Sequence, residues 1–121
     1  MVVFAFPGWS PVARDFAERK RKSGWPSEKM LQNILVSGYY LAAVGRKDAK
    51  MGEFEWRYSF NAADKLLAHS LTKEQRQVYV YLKLIRRFYF KHPGVFPSYW
   101  LKPLYFWICE EVHSSQFKSK N

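Results

Sequence analysis

Thr72-Lys73-Glu74-Gln75-Arg76-Gln77-Val78-Tyr79-Val80-Tyr81-Leu82-Lys83-Leu84-Ile85-Arg86-Arg87-Phe88-Tyr89-Phe90 is the stretch on which the reading of this chain turns. It opens with the spacing of a capping box: the Thr72 hydroxyl accepts from a backbone N–H three residues on, and the Gln75 amide reaches back. Val78, Leu82, Ile85 and Tyr89 recur at the helical period, and Tyr81, Leu84 and Phe88 widen that stripe. Arg76, Lys83, Arg86 and Arg87 occupy the other face. His92-Pro93-Gly94 stops the helix. The second half of the chain is therefore helical.

Downstream, Ser98 is expected to cap a last helix to about Val112, with Leu101, Leu104, Tyr105, Trp107 and Ile108 as its buried side. Pro103 removes a donor and is expected to loosen the first turns. The tail from Ser114 to Asn121 is polar and frayed. Upstream, Asn61 is expected to cap a helix carrying Ala63, Leu66 and Leu67. Before residue 60 the period changes. Val2 to Phe6, Tyr39 to Val44 and Phe54 to Tyr58 read as strands, the last with Trp56 and Tyr58 on one face and Glu55 and Arg57 on the other. Ser27 to Ser37 reads as a helix ended by Gly38 as a left-handed cap, and residues 45–52 read as a polar loop. A short helix over 12–21 runs into Arg19-Lys20-Arg21-Lys22. That run is a solvated loop on the bland reading and a polyanion contact on the sharper one. The strands show no obvious mates within the chain, which suggests an incomplete fold.

Composition narrows the function. The 121 residues carry 20 Lys+Arg against 10 Asp+Glu, a net +10, with 48% apolar and 19% aromatic residues. Such a charge favours polyanions: nucleic acid, nucleotides or an anionic membrane. The single cysteine, Cys109, excludes a disulfide framework and a cysteine-based zinc site, and reads as a buried thiol. His69, His92 and His113 are isolated. Glu110 and Glu111, as helix neighbours, point apart and form no metal pair. No apolar run approaches the ~18 residues that span a bilayer. The expected setting is cytoplasmic or nuclear, with no membrane partner.

Several segments recur in a telling order: Gly38-Tyr39-Tyr40-Leu41, Glu55-Trp56-Arg57-Tyr58-Ser59-Phe60, Asp64-Lys65-Leu66-Leu67, Lys83 within the long helix, Pro97-Ser98-Tyr99-Trp100-Leu101-Lys102, and Phe106-Trp107. Pro7 to Arg14 and Trp25-Pro26-Ser27 fit the same order. The chain to about Val112 thereby resembles the male abnormal 21 family of cGAS-like nucleotidyltransferases. The E-W-R-x-S-F and S-Y-x-x-K segments carry most of the likeness.

The resemblance implies a mostly helical α+β fold, with a few edge strands of a nucleotidyltransferase-like lobe followed by a helical bundle. Residues 1–59 would be the end of the α/β lobe, 60–113 the start of a helix-hairpin-helix-like domain, and 114–121 a tail. It implies that Arg57 and Ser59 face an acceptor nucleotide, that Lys83 and Ser98 lie near a donor's phosphates, and that Tyr99 stacks on a base. The family's three metal-binding carboxylates have no counterpart here, so no catalytic and no metal residue is expected in this chain, and a zinc thumb is missing too. Mg²⁺ or Mn²⁺ with ATP or GTP would belong to a full-length parent, whose upstream lobe would be a partner. Pro97 and Pro103 depart from the family's pattern around Ser98 and Tyr99. Two other readings stand beside this one: a non-catalytic nucleic-acid-binding module using Arg19, Lys20, Arg21 and Lys22, and a protein-interaction or developmental regulator.

Overall fold

The computed structural model describes residues 2–45, 54–91 and 95–118. Most of the expected loop over 45–52, the stop at His92-Pro93-Gly94 and the end of the tail lie outside the described residues. Among those described, the chain is mixed α and β. The strands are β1 (Val3–Phe6), β2 (Tyr39–Gly45) and β3 (Phe54–Ser59). The helices are α1 (Arg14–Glu18), α2 (Glu28–Val36), α3 (Asn61–Ser70), α4 (Lys73–Tyr89) and α5 (Leu101–Glu111). Short 3₁₀ turns cover Pro11–Ala13, Ser98–Trp100 and Ser114–Phe117. None of these helices is long and apolar enough to cross a membrane.

Two compact units divide the chain: residues up to 19 with 28–69, and residues 20–27 with 70 onward. The sheet and α3 belong to the first; α4, α5 and the segment 20–27 belong to the second.

In the first unit, the expectation of strands without mates is corrected. β1 pairs antiparallel with β2, and β2 with β3, in the order β1-β2-β3. The β1–β2 pairing closes across α1 and α2, a long-range contact that a local hydrophobic pattern does not announce. Register sets Phe4 beside Leu41, and Leu41 beside Tyr58. That face becomes an aromatic ladder, because alternation sends every second side chain the same way. Phe4 lies 5.4 Å from Trp56, Phe6 stacks on Tyr39 at 5.1 Å, and Tyr39 meets Tyr58 at 5.8 Å. Phe60 continues the ladder to Trp9, whose indole N–H donates to the Ala13 carbonyl at 2.7 Å. Arg57 and Ser59 take the opposite face. Asn61 is the first residue of α3 rather than its cap; the Phe60 carbonyl accepts the first helical bond, from Asp64 N–H.

The second unit brings two corrections. Ser98 does not cap a helix: it opens the 3₁₀ turn, which shows no side-chain cap, and α5 starts at Leu101. Pro103 is then the third residue of α5, where no intrahelical N–H partner is required, and the helix runs unbroken. The buried side of α5 is Leu101, Tyr105, Phe106, Cys109 and Glu110. Leu104, Trp107 and Ile108, expected inside, are about half exposed. On α4 the capping box forms as expected, with Gln75 N–H 3.2 Å from the Thr72 hydroxyl and Thr72 N–H 2.9 Å from the Gln75 side-chain Oε1. Its wide apolar stripe, however, is only partly covered: Val78 and Leu82 are half-buried, while Tyr81, Leu84, Ile85, Phe88 and Tyr89 are exposed. Gln75 and Tyr79 meet α5 instead: Tyr105 donates to the Gln75 backbone carbonyl, and its ring stacks on Tyr79 at 5.3 Å.

Gly38 tests the β1–β2 junction. Its φ is +76°, and a β-carbon there would run into the carbonyl oxygen of Phe6. We expect Gly38→Ala to lower the urea midpoint by the equivalent of about 1–3 kcal/mol or more, since left-handed strain alone costs that much. Gly8→Ala, at a similar φ with open space around it, should cost less. Equal midpoints for the two variants would contradict the close approach.

Candidate functional site

α4 builds the site by its spacing. Tyr79, Lys83, Arg86 and Arg87 fall at i, i+4, i+7 and i+8, one side of a helix. The Tyr79 ring, held against Tyr105, supports the Lys83 ammonium 4.7 Å from its centroid. Burial raises the Tyr79 phenol above its ordinary pKa, so it stays neutral beside the cation. Arg86 is fixed by its Nε–H, which donates to the Phe96 carbonyl at 3.0 Å. Ser98 and Leu101 close the other wall. The result is a recess of about 240 Å³ lined by Tyr79, Lys83, Arg86, Arg87, Ser98 and Leu101.

Among the described residues, three cations line this recess and no carboxylate does. Like charges at i, i+3 and i, i+4 repel. An anion entering the recess relieves that repulsion, and it meets charge-assisted donors and a hydroxyl that can donate or accept.

Two of the five positions suggested by the resemblance are thus brought together: Lys83 and Ser98. Tyr99 is not among the lining residues; it is 72% exposed, edge-on to Trp100 at 6.2 Å. Arg57 and Ser59 belong to β3 in the first unit. Sequence reasoning missed Arg86 and Arg87, which it assigned only to a polar helix face. Their spacing from Lys83 was the available signal.

The run Arg19-Lys20-Arg21-Lys22 is placed differently from a free basic patch. Arg19 pairs with Asp15 at 3.2 Å and sits over the Phe16 ring. Arg21 is turned inward against Glu110 at 3.3 Å, with both side chains almost wholly buried. Lys22 reaches Glu111 at 3.0 Å, an exposed pair. Lys20 alone has no carboxylate partner among the described residues. The adjacent Glu110 and Glu111 do point apart, each to its own cation.

Around Arg21 the segment 20–27 is clamped to α5. Ser23 donates from its hydroxyl to the Cys109 carbonyl and from its N–H to the Glu110 carbonyl at 2.9 Å. The Trp25 indole donates to the Ser70 hydroxyl at 3.0 Å and packs on Phe106. Cys109 lies inside this clamp, fully buried, and burial pushes its thiol up to about 11, against a lowering by the Tyr105 hydroxyl bond. Burial first, then the nearby thiol, pushes the Tyr105 phenol above its usual range.

His113 ends up structural: its Nδ1 accepts from Ser115 N–H at 3.2 Å. Among the described residues no group of three or more His, Cys, Asp or Glu side chains is arranged to hold a metal ion. No family model matches the chain, and searches of curated proteins and of solved structures find no match either.

Two predictions follow from the clamp. Glu110→Ala should destabilise by about 3–5 kcal/mol, because it leaves the Arg21 charge buried, whereas the double variant Arg21→Met with Glu110→Leu should recover most of that. Equal losses for the single and double variants in urea titrations would contradict a buried pair. The Cys109 thiol is raised in the folded chain, from an ordinary value of 9.0. Its contribution to stability is therefore complete below pH 9 and is lost as pH climbs toward 11. Correspondingly, Ellman's reagent at pH 8 should modify the native thiol at least about a hundredfold more slowly than the urea-unfolded one.

Proposed function

We propose that this chain is a nucleotide-binding piece of a male abnormal 21-like, cGAS-related protein, holding the phosphates of its ligand in the recess between α4 and the start of α5. The observation that carries the reading is the convergence of Lys83, Arg86, Arg87 and Ser98 on one cavity with no carboxylate among its described lining residues. A guanidinium fork and an ammonium suit the oxygen array of a phosphate, to which they can donate charge-assisted hydrogen bonds. The residues named by the resemblance supply two of the four polar groups, and the geometry supplies the others.

The role proposed is binding, without chemistry of its own. Nucleotidyl transfer by two metals requires carboxylates placed to hold both ions. Asp15, Glu110 and Glu111 instead serve Arg19, Arg21 and Lys22. In a larger parent, an upstream lobe would carry the carboxylates that hold Mg²⁺ or Mn²⁺, with ATP or GTP as ligand. The nucleic-acid reading is weaker where Arg21 and Lys22 are concerned, since their charges are already matched.

Calorimetric titration tests this. ATP should bind in low salt, adenosine should not, and binding should fall steeply as salt rises. Lys83→Ala should weaken ATP by about tenfold or more, as expected for one charge-assisted contact. Lys20→Ala should leave ATP affinity unchanged. Binding that ignores the Lys83 substitution, or that adenosine reproduces, would sink the proposal.

A further inference from the structure

We propose that Ser23 is a phosphorylation site for a protein kinase that reads cations ahead of its acceptor, and that the phosphate releases residues 20–27 from α5. The acceptor follows a run of cations, Arg19-Lys20-Arg21-Lys22-Ser23. Kinases of this kind hold an extended substrate in an acidic cleft and select cations two and three residues before the hydroxyl. Arg21 and Lys20 occupy those two positions. Ser27, the next hydroxyl along the chain, has Trp25 and Gly24 there instead. Residues 20–27 form neither helix nor strand, so no secondary structure has to melt for the segment to enter such a cleft. Gly24, beside the acceptor, is exposed, with open space around it.

Ser23 stands at the centre of the hold on α5. Its hydroxyl donates to the Cys109 carbonyl and its N–H to the Glu110 carbonyl, while Trp25 N–H donates back to its Oγ at 3.2 Å. The two residues before it pair with Glu110 and Glu111. A coil held by a few side chains opens locally far more often than a whole chain unfolds. The kinase acts on that open form, in which Arg21 is accessible. Ser23 Oγ attacks the γ-phosphorus of ATP bound to the kinase. The new O–P bond forms, the bond from that phosphorus to the bridging oxygen breaks, and ADP leaves with the electron pair. The hydroxyl proton passes to the kinase's base.

The product opposes reclosing. The donor to the Cys109 carbonyl is gone. A charge of about −1.5 to −2 now belongs where Ser23 met the last turn of α5. There the helix dipole is negative, and Glu110 and Glu111 add their carboxylates. The phosphate also offers Arg21 and Lys22 a doubly charged partner on their own segment. The open form, a minor state before transfer, becomes the favoured one. Cys109, fully buried beneath the segment, is uncovered.

Incubating the 121-residue chain with ATP and the catalytic subunit of a cyclic-AMP-dependent protein kinase, then mapping peptides by mass spectrometry, tests the proposal. One phosphoryl group is expected on Ser23 and none on Ser27. Lys20→Glu, at an exposed position, should slow the transfer at least about tenfold, as the loss of one charge-assisted contact predicts. At pH 8 the phosphorylated chain should react with Ellman's reagent at least about tenfold faster than the unmodified chain, since a donated bond is lost and like charge arrives. Its helical circular dichroism should be retained. Without any kinase, Ser23→Asp should speed the thiol reaction in the same direction, and the exposed Ser27→Asp should not. No phosphate on Ser23 would overturn the proposal. So would a Ser23 phosphate that leaves Cys109 as slow as before, or that abolishes the helical signal and so unfolds the chain instead of freeing one segment.

Discussion

One buried ion pair, Arg21 with Glu110, constrains how the second unit is arranged. A charge removed from water costs several kcal/mol unless a partner and further hydrogen bonds compensate it, so neither residue can be inside without the other. Once they meet, Ser23 follows, its hydroxyl donating to the Cys109 carbonyl and its N–H to the Glu110 carbonyl. Trp25 then reaches Phe106 and Ser70. The same pairing decides which side of α5 faces in. With Glu110 inward, Phe106 and Cys109 turn in beside it, and Tyr105 meets α4. That contact seats Tyr79, and Tyr79 seats Lys83 over the recess. A structural ion pair thus stands behind the proposed ligand site.

Local signals in the sequence were legible because their physics is local. The Thr72–Gln75 box is two hydrogen bonds within four residues, and it forms as read. Gly38 follows the left-handed requirement at a helix end. The alternation of Trp56 and Tyr58 against Arg57 follows from the pleat. The pairing of β1 with β2 was not legible, because the partner choice depends on closing a long loop rather than on either strand's composition. The inward face of α5 was misread for a different reason. Leu101 to Ile108 is apolar nearly all round, so periodicity cannot choose a side, and the choice is made by Glu110 through a cation far away in the chain.

The candidate site divides in the same manner. Lys83 and Ser98 entered through the likeness to the male abnormal 21 family. Arg86 and Arg87 are neighbours of Lys83 by helix geometry alone and could have been named from spacing. The basic run at 19–22 looked like a ligand contact because four cations outnumber their local carboxylates. Arg19 has a local partner in Asp15, but those of Arg21 and Lys22, Glu110 and Glu111, stand in the last helix, where local charge counting does not look. The apolar stripe of α4 was legible as a stripe, but how much of a stripe is covered depends on what packs against it.

The most direct measurement of the central claim is an amide chemical-shift titration of the isotopically labelled chain with ATP. The account predicts shifts concentrated at Lys83, Arg86, Arg87 and Ser98 that saturate, reverse with added salt and spare Arg19 to Lys22. Shifts centred on Arg19 to Lys22, or spread evenly over the basic surface without saturation, would contradict it.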